Sequence, residues 1–163
     1  MTTRSLSFYG LIILLSAAID QALKLLVEMW MPLHGRIDIL PFLSLLHSRN
    51  TGVAFSLFSG VGGPWLSLLM IAVIIFMVVL AIRTEPTQLF ARLGFALIIG
   101  GAFGNLIDRA LRGYVVDYVY FHTPVWSFAI FNLADALITI GAALIILEEF
   151  FAWRRAKRHG SSG

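Results

Sequence analysis

The sequence predicts an all-α membrane protein: a bundle of four transmembrane helices with a small β-containing extracytoplasmic element. Three observations point there. Of the 163 residues, 59% are hydrophobic, well above the roughly 45–50% of soluble domains. Four apolar stretches, at about 8–27, 65–82, 89–108 and 130–153, have the length of membrane spans. The segment 28–64 is different in kind. Pro32, Pro41, Gly35, Gly52, Gly60, Gly62 and the Gly63-Pro64 pair interrupt it too often for a span, and short β-prone runs (Arg36–Leu40, Val53–Phe58) lie among these turn residues.

The first span, from Phe8 to about Val27, is long enough at about 1.5 Å per residue to cross a hydrocarbon core of about 30 Å. Its second half carries Asp20 and Lys24. The small residues Ser16-Ala17-Ala18 resemble a signal-peptide cleavage site, but the preceding region has only Arg4 and the helical pattern runs on past them, so a membrane helix is the better reading. The second span, Trp65–Ile82, has no polar side chain beyond Ser67, which suits a lipid-facing structural helix. The third ends in the polar, glycine-rich run GGAFGNLIDR, and the fourth opens with FNLAD. Short connections between spans favour an antiparallel bundle. Residues 1–159 form one domain, and 160–163 read as a cloning-derived tail without structural meaning.

Charge sets the orientation. With both termini inside, Arg4, Arg83, Arg92, Arg154, Arg155, Lys157 and Arg158 are cytoplasmic, against Arg36, Arg49, Arg109 and Arg112 outside. Trp30, Trp65 and Trp126 then fall at the outer interface and Trp153 at the inner one. The basic tail is a topology signal or lipid contact, and nucleic acid is not an expected partner.

This topology gathers the unusual polar groups at one membrane face. Asp20 and Lys24, Asn105, Asp108 and Arg109, and Asn132 and Asp135 lie toward the outer ends of spans one, three and four, with Asn50 and Asp117 in the two outer loops. Gly101, Asn105, Asp108 and Arg109 share one helical face; so do Asn132, Asp135, Ala136 and Thr139. Asp117 and Asp135 stand out, because two carboxylates held close share a proton and offer an acid and a base together.

Plainer readings stand beside these. Asp20 and Lys24, at i and i+4, read as a packing ion pair, so that changing either should lower folded yield more than turnover. Gly100 and Gly104 make a close-packing pattern. Asp108 and Arg109 are either a terminal pair or a site in which Arg109 holds a carboxylate or a lipid phosphate. Asn132 with Asp135 is also a helix-capping arrangement, and Asp117, in the alternating run VVDYVYF, is also readable as a solvated loop acid.

Other chemistries lack their residues. There is no cysteine, no HExxH helix among the scattered histidines, no GxSxG elbow and no GxxxxGK[ST] loop. No metal site or cofactor is expected. A small ion or solute carrier would use the same acids, but it calls for polar groups near the bilayer midplane. A purely structural subunit would tolerate neutralising either acid.

The order Asp20…Lys24, NTGVAFS at Asn50–Ser56, GGAFGNLIDR at Gly100–Arg109, VVDY at Val115–Tyr118 and FNLAD at Phe131–Asp135 closely resembles bacterial lipoprotein signal peptidase, or signal peptidase II. The resemblance implies an aspartic endopeptidase of the bacterial inner membrane, active at its outer face, which cuts diacylglyceryl-modified prolipoproteins just before the lipidated cysteine. Its partners would be these substrates and membrane lipids. Neither the resemblance nor the sequence sets the oligomeric state, for which a monomer is the default expectation. Matching motif to motif puts the catalytic pair on Asp117 and Asp135. The supporting polar residues fall on Asp20, Asn50, Asn105, Arg109 and Asn132, and the close-packing positions on Gly52, Ala54, Gly101, Gly104 and Ala134.

Overall fold

A computed structural model of the protein describes residues 3–52 and 62–160, with side chains described for 7–52 and 65–157. Its elements in order are α1 (Thr3–Trp30), β1 (Arg36–Leu40), β2 (Leu43–Asn50), α2 (Gly62–Arg83), α3 (Leu89–Arg112), β3 (Val115–Phe121) and α4 (Leu133–Gly160). The stretches Ser7–Trp30, Trp65–Arg83, Leu89–Arg112 and Leu133–Lys157 are long and apolar enough to cross a membrane. The protein is a four-helix membrane bundle carrying a small three-stranded antiparallel sheet.

Helix α3 is the centre, packed against the other three helices. Small residues make this possible. A Cβ added at Gly94 would lie 2.5 Å from the Gly141 carbonyl oxygen, and one added at Gly141 equally close to that of Gly94. There α3 and α4 touch backbone to backbone, a contact any side chain would open. The neighbouring Gly100 meets Ser16 and Ile13, so α3 shows a small face to α1 as well. Helix α2 is the opposite case. Leu68, Leu69, Ile75, Phe76 and Ile82 are exposed while Ile74 packs with Ile99 and Ala102 of α3, so a helix apolar all round leaves most of its surface for lipid.

The sheet has the order β1-β2-β3 and sits at the end of the bundle where α1 and α3 finish and α4 begins. Val27 and Met31 of α1 pack with Val116 and Tyr118 of β3, which fastens the sheet to the helices. Register is fixed by the pairs Ser48↔Asp117, Arg49↔Val116 and Asn50↔Val115, with an irregularity between Leu45 and Ser48.

Three boundaries differ from the sequence reading. Asn50 and Asp117, expected in outer loops, lie on β2 and β3; the run VVDYVYF is the third strand of a sheet whose other strands lie within 28–64. Helix α3 continues past residue 108 to Arg112, because Arg112 pairs with Asp108 and with Glu28 of α1, and Gly113 then ends the helix in the left-handed region at φ 78. Helix α4 starts at Leu133, not near Ile130, because Phe131 exchanges backbone hydrogen bonds with Val119 and is held extended beside β3. The β-prone run at 53–58, and Ala54 within it, lie outside the described residues.

Candidate active site

The two acids reach one place from different elements. Asp117 is set by strand register and is 3% exposed. Asp135 is set by the start of α4, where the Asn132 side-chain oxygen accepts from the Asp135 N–H at 3.0 Å and Asp135 Oδ2 accepts from the Asn132 N–H at 3.2 Å. That is a capping box, with Asn132 as cap and Asp135 as the third helical residue. The other early N–H groups of α4 are also satisfied: Leu133 donates to the Tyr118 hydroxyl at 3.2 Å and Ala134 to Asp20 Oδ1 at 2.9 Å. The helix end is thereby tied to β3 and to α1 at once.

All four carboxylate oxygens of the pair receive a donor. Asp117 Oδ1 accepts from Asn132 Nδ2 at 2.7 Å and Oδ2 from Asn50 Nδ2 at 3.1 Å. Asp135 Oδ1 accepts from Asn105 Nδ2 at 2.9 Å and Oδ2 from the Asn132 backbone. Asn132 Nδ2 also reaches Asn105 Oδ1 at 3.2 Å, so Asn105 and Asn132 form a bridge from one acid to the other. Asn50 is held in turn by the Gly52 N–H, which donates to its Oδ1 at 2.9 Å; Gly52 itself has φ 81, a conformation that favours glycine.

Burial and charge oppose these donors. Loss of water around Asp117, and then the nearby Asp135 carboxylate, push the Asp117 carboxyl up to about 6, although the Asn50 and Asn132 hydrogen bonds pull the other way. The donors favour negative charge on both acids, while burial and mutual repulsion disfavour a second charge. The arrangement suits a pair that holds one proton between two carboxyls.

Beneath the pair lies an ionic layer. Lys24, Asp20 and Asp108 have side chains with no exposure; Lys24 Nζ is 2.8 Å from Asp20 Oδ2, 3.0 Å from Asp108 Oδ2 and 2.7 Å from Asn105 Oδ1. Asp108 also accepts from the Val116 N–H at 3.0 Å, which anchors β3 one residue before Asp117. Gly104 lies against the Asp20 carboxylate, where a Cβ would collide, and Gly101 against the Ala134 carbonyl oxygen, 2.5 Å from where its Cβ would be. Arg109 stands apart. Its Nε and Nη1 are buried with no hydrogen-bond partner among the described residues, and the guanidinium lies beside Gly52, in the field of Asp117, Asp108 and Asp135.

The structure therefore brings Asp20, Lys24, Asn50, Gly52, Gly101, Gly104, Asn105, Arg109, Asp117, Asn132, Ala134 and Asp135 to one end of the bundle. Sequence reading overlooked a second tier: Gln21 donates to Asp108 at 3.0 Å, Arg112 to Asp108 at 2.6 Å and to Glu28 at 2.9 Å, and Tyr114 to Glu28 at 3.0 Å. The signal was present, since Gln21, Lys24 and Glu28 share a face of α1 as Asp108 and Arg112 share one of α3.

Comparison with known proteins agrees with this picture. The family model described as signal peptidase (SPase) II matches residues 12–151. A lipoprotein signal peptidase of Mesorhizobium japonicum is 53% identical over 152 residues, 93% of this chain and 90% of that one; one from Brucella ovis is 55% identical over 146 residues, 90% and 91% of the two chains. Among solved structures, a bacterial membrane enzyme determined by the in meso method at 1.9 Å resolution superposes with a TM-score of 0.79 at 32% identity, covering 86% of this chain and 91% of that chain. Identity above one half, sustained over nine-tenths of the sequence and matched by a shared helical architecture, assigns the protein: the chain belongs to the signal peptidase II family.

Proposed function

We propose that the protein is an aspartic endopeptidase that removes signal peptides from diacylglyceryl-modified prolipoproteins, cutting before the lipidated cysteine at the outer face of the bacterial inner membrane, with both termini cytoplasmic. The observation that carries the chemistry is the shared asparagine frame: two acids from separate segments, every oxygen held by a donor, bridged through Asn105 and Asn132. The substrate class comes from the relatives, which are named lipoprotein signal peptidases.

In the reaction, ionised Asp135 takes a proton from a water that attacks the scissile carbonyl carbon. Asp117 is the protonated partner; it hydrogen-bonds the carbonyl oxygen and then helps protonate the leaving amine. The assignment follows from environment. Asp117 is nearly fully buried and its carboxyl is pushed up to about 6, while Asp135 sits at a helix N-terminus, whose dipole favours a negative charge. Arg109, with two buried donor atoms uncommitted among the described residues, is the group for the substrate backbone, and Asn50, Asn105 and Asn132 keep the acids in place. The lipid of the substrate stays in the bilayer beside the helices, so that anchoring holds the peptide at the acids.

The test is cleavage of a diacylated prolipoprotein by the purified protein in detergent micelles, followed as a gel shift. Asp117→Asn and Asp135→Asn should each reduce turnover by at least about a thousandfold, since both halves of the acid–base exchange are lost with either. Full activity in either variant would remove the proposed pair.

A further inference from the structure

Lys24 has a place in the site that an ion pair does not account for. An ammonium carries three N–H donors and no acceptor. Two face Asp20 and Asp108, and the third is 2.7 Å from the Asn105 side-chain oxygen. Neutralising Asp20 across one helical turn requires only the first of these contacts. Asn105 is an amide, a group with a donor end and an acceptor end, and which end meets Asp135 matters to the acid. Facing the ammonium, the amide must turn its oxygen inward, because the reversed amide would set NH2 against NH3+. Its NH2 is then the end that reaches Asp135 Oδ1, at 2.9 Å. A donor on that oxygen stabilises the carboxylate, whereas a carbonyl there would require Asp135 to carry the proton.

We propose that Lys24 is a positioning residue for the acid pair: its buried ammonium fixes the sense of the Asn105 amide, and through that amide it keeps Asp135 as the ionised member. The inference rests on the peptidase reading above and adds to it a group that touches neither acid.

The surroundings are built for this task. Lys24, Asp20 and Asp108 are fully buried, so no water competes for the three donors. Asp108 is held in place by Gln21, Arg112 and the Val116 N–H, and Asp20 by the Ala134 N–H, so the two carboxylates that flank the ammonium are themselves fixed. Gly104 has no side chain, and this lets Asp20 lie flat against α3. Asn132 Nδ2 also points at Asn105 Oδ1, at 3.2 Å, a second and weaker contribution to the same sense. The charged and titratable groups around Asp135 are Lys24 and Asp20 on α1, Asp108 and Arg109 on α3, and Asp117 and Tyr118 on β3. Among these, Lys24 is the one cation that meets the Asn105 oxygen directly, whereas Asp117 connects to Asn105 only by way of Asn132.

The experiment uses the full-length protein in micelles with a diacylated prolipoprotein, measuring kcat and KM from pH 4.5 to 8.5 for the parent, Lys24→Met, and Lys24→Met with Asp20→Asn. The double variant removes one buried charge of each sign and leaves Asp108 paired with Arg112. With the amide free to reverse, a folded variant should keep KM within about twofold, and the acid limb of kcat should move to higher pH by about one unit, a loss that approaches about tenfold on the acid side of the parent limb and vanishes on the plateau above it. A folded variant whose acid limb stays at the parent position overturns the proposal. Failure of both variants to fold also overturns it, by making Lys24 a structural residue only. A folded parent that does not cleave at any pH is a separate outcome, which removes the peptidase reading itself.

Discussion

Asn132 and Asp135 cap helix α4 reciprocally, each side chain accepting the other's backbone N–H, while the Asn132 amide nitrogen donates to Asp117 at 2.7 Å. One asparagine thus starts the helix that carries one acid and holds the other. The capping reading and the active-site reading of FNLAD are the same geometry.

The two roles can be separated. Serine caps a helix about as well as asparagine but has no amide nitrogen to extend toward Asp117. Asn132→Ser keeps the cap and should be about 1 kcal/mol more stable than Asn132→Ala, while both lose about 1–3 kcal/mol for the buried acceptors left without the amide nitrogen. Both should lower kcat by at least about a hundredfold. Thermal unfolding and cleavage rates measured on the same preparations check this, and a fully active Asn132→Ser would show that the Asp117 contact is dispensable.

The buried Asp117 gives stability a pH dependence whose sign is fixed. Its carboxyl is pushed from an ordinary 3.8 up to about 6 in the folded state, so between these values the folded protein binds the proton more tightly than the unfolded chain. Stability contributed by this group is greatest at low pH and falls as pH rises from about 4 to about 6, a loss on the order of 3 kcal/mol that is complete above the folded value. Asp117→Asn should flatten that slope. Chemical unfolding at pH 4.5, 5.5 and 7 would show it, and an equally steep decline in the variant would place the titrating group elsewhere.

The four helices and the two acids were legible in the sequence because each is written locally: long apolar runs give the spans, and a carboxylate near the edge of one is conspicuous. The placement of Asp117 was not local. VVDYVYF alternates like a strand, but its partner, Leu43–Asn50, lies before two intervening helices, so nothing near residue 117 names the strand it joins. The same distance hid the ionic layer. Lys24 and Asp20 were visible as neighbours on one helix, yet Asp108, Asn105 and Arg112 come from α3, and only the close approach allowed by Gly100 and Gly104 brings them to α1.

Glycines on α3 also set its approach to α4, and they differ from glycines that merely sit on a surface. At Gly101 a Cβ would meet the Ala134 carbonyl oxygen, a backbone atom that cannot rotate aside, so Gly101→Ala must push α3 and α4 apart just where Asn105 reaches Asp135. It should cost about 1–3 kcal/mol and reduce kcat. At Gly10 of α1 nothing lies within 4 Å, and Gly10→Ala should stabilise the helix by about 0.5–1 kcal/mol with activity unchanged. Unfolding curves for the pair decide this; equal effects would mean that the α3–α4 spacing is not set at Gly101.

Arg109 offers the sharpest separation of stability from activity. Its buried Nε and Nη1 lack partners among the described residues, a condition that costs about 1–3 kcal/mol when nothing compensates. The three acids around it, Asp108, Asp117 and Asp135, return part of that cost through the field, but none of them is hydrogen-bonded to those two atoms. The proposed role of Arg109 is to receive a peptide carbonyl of the substrate, which the planar fork of a guanidinium suits. Arg109→Met keeps much of the side-chain volume and removes the uncommitted donors. It should leave the unfolding free energy within about 1 kcal/mol of the parent, since the lost desolvation cost and the lost field of the three acids act in opposite directions. At the same time KM for the prolipoprotein should rise by at least about tenfold, the loss expected when a charge-assisted hydrogen bond to substrate is removed. If the variant instead loses several kcal/mol of stability and retains the parent KM in the fraction that folds, Arg109 is holding the acids together and another group receives the peptide.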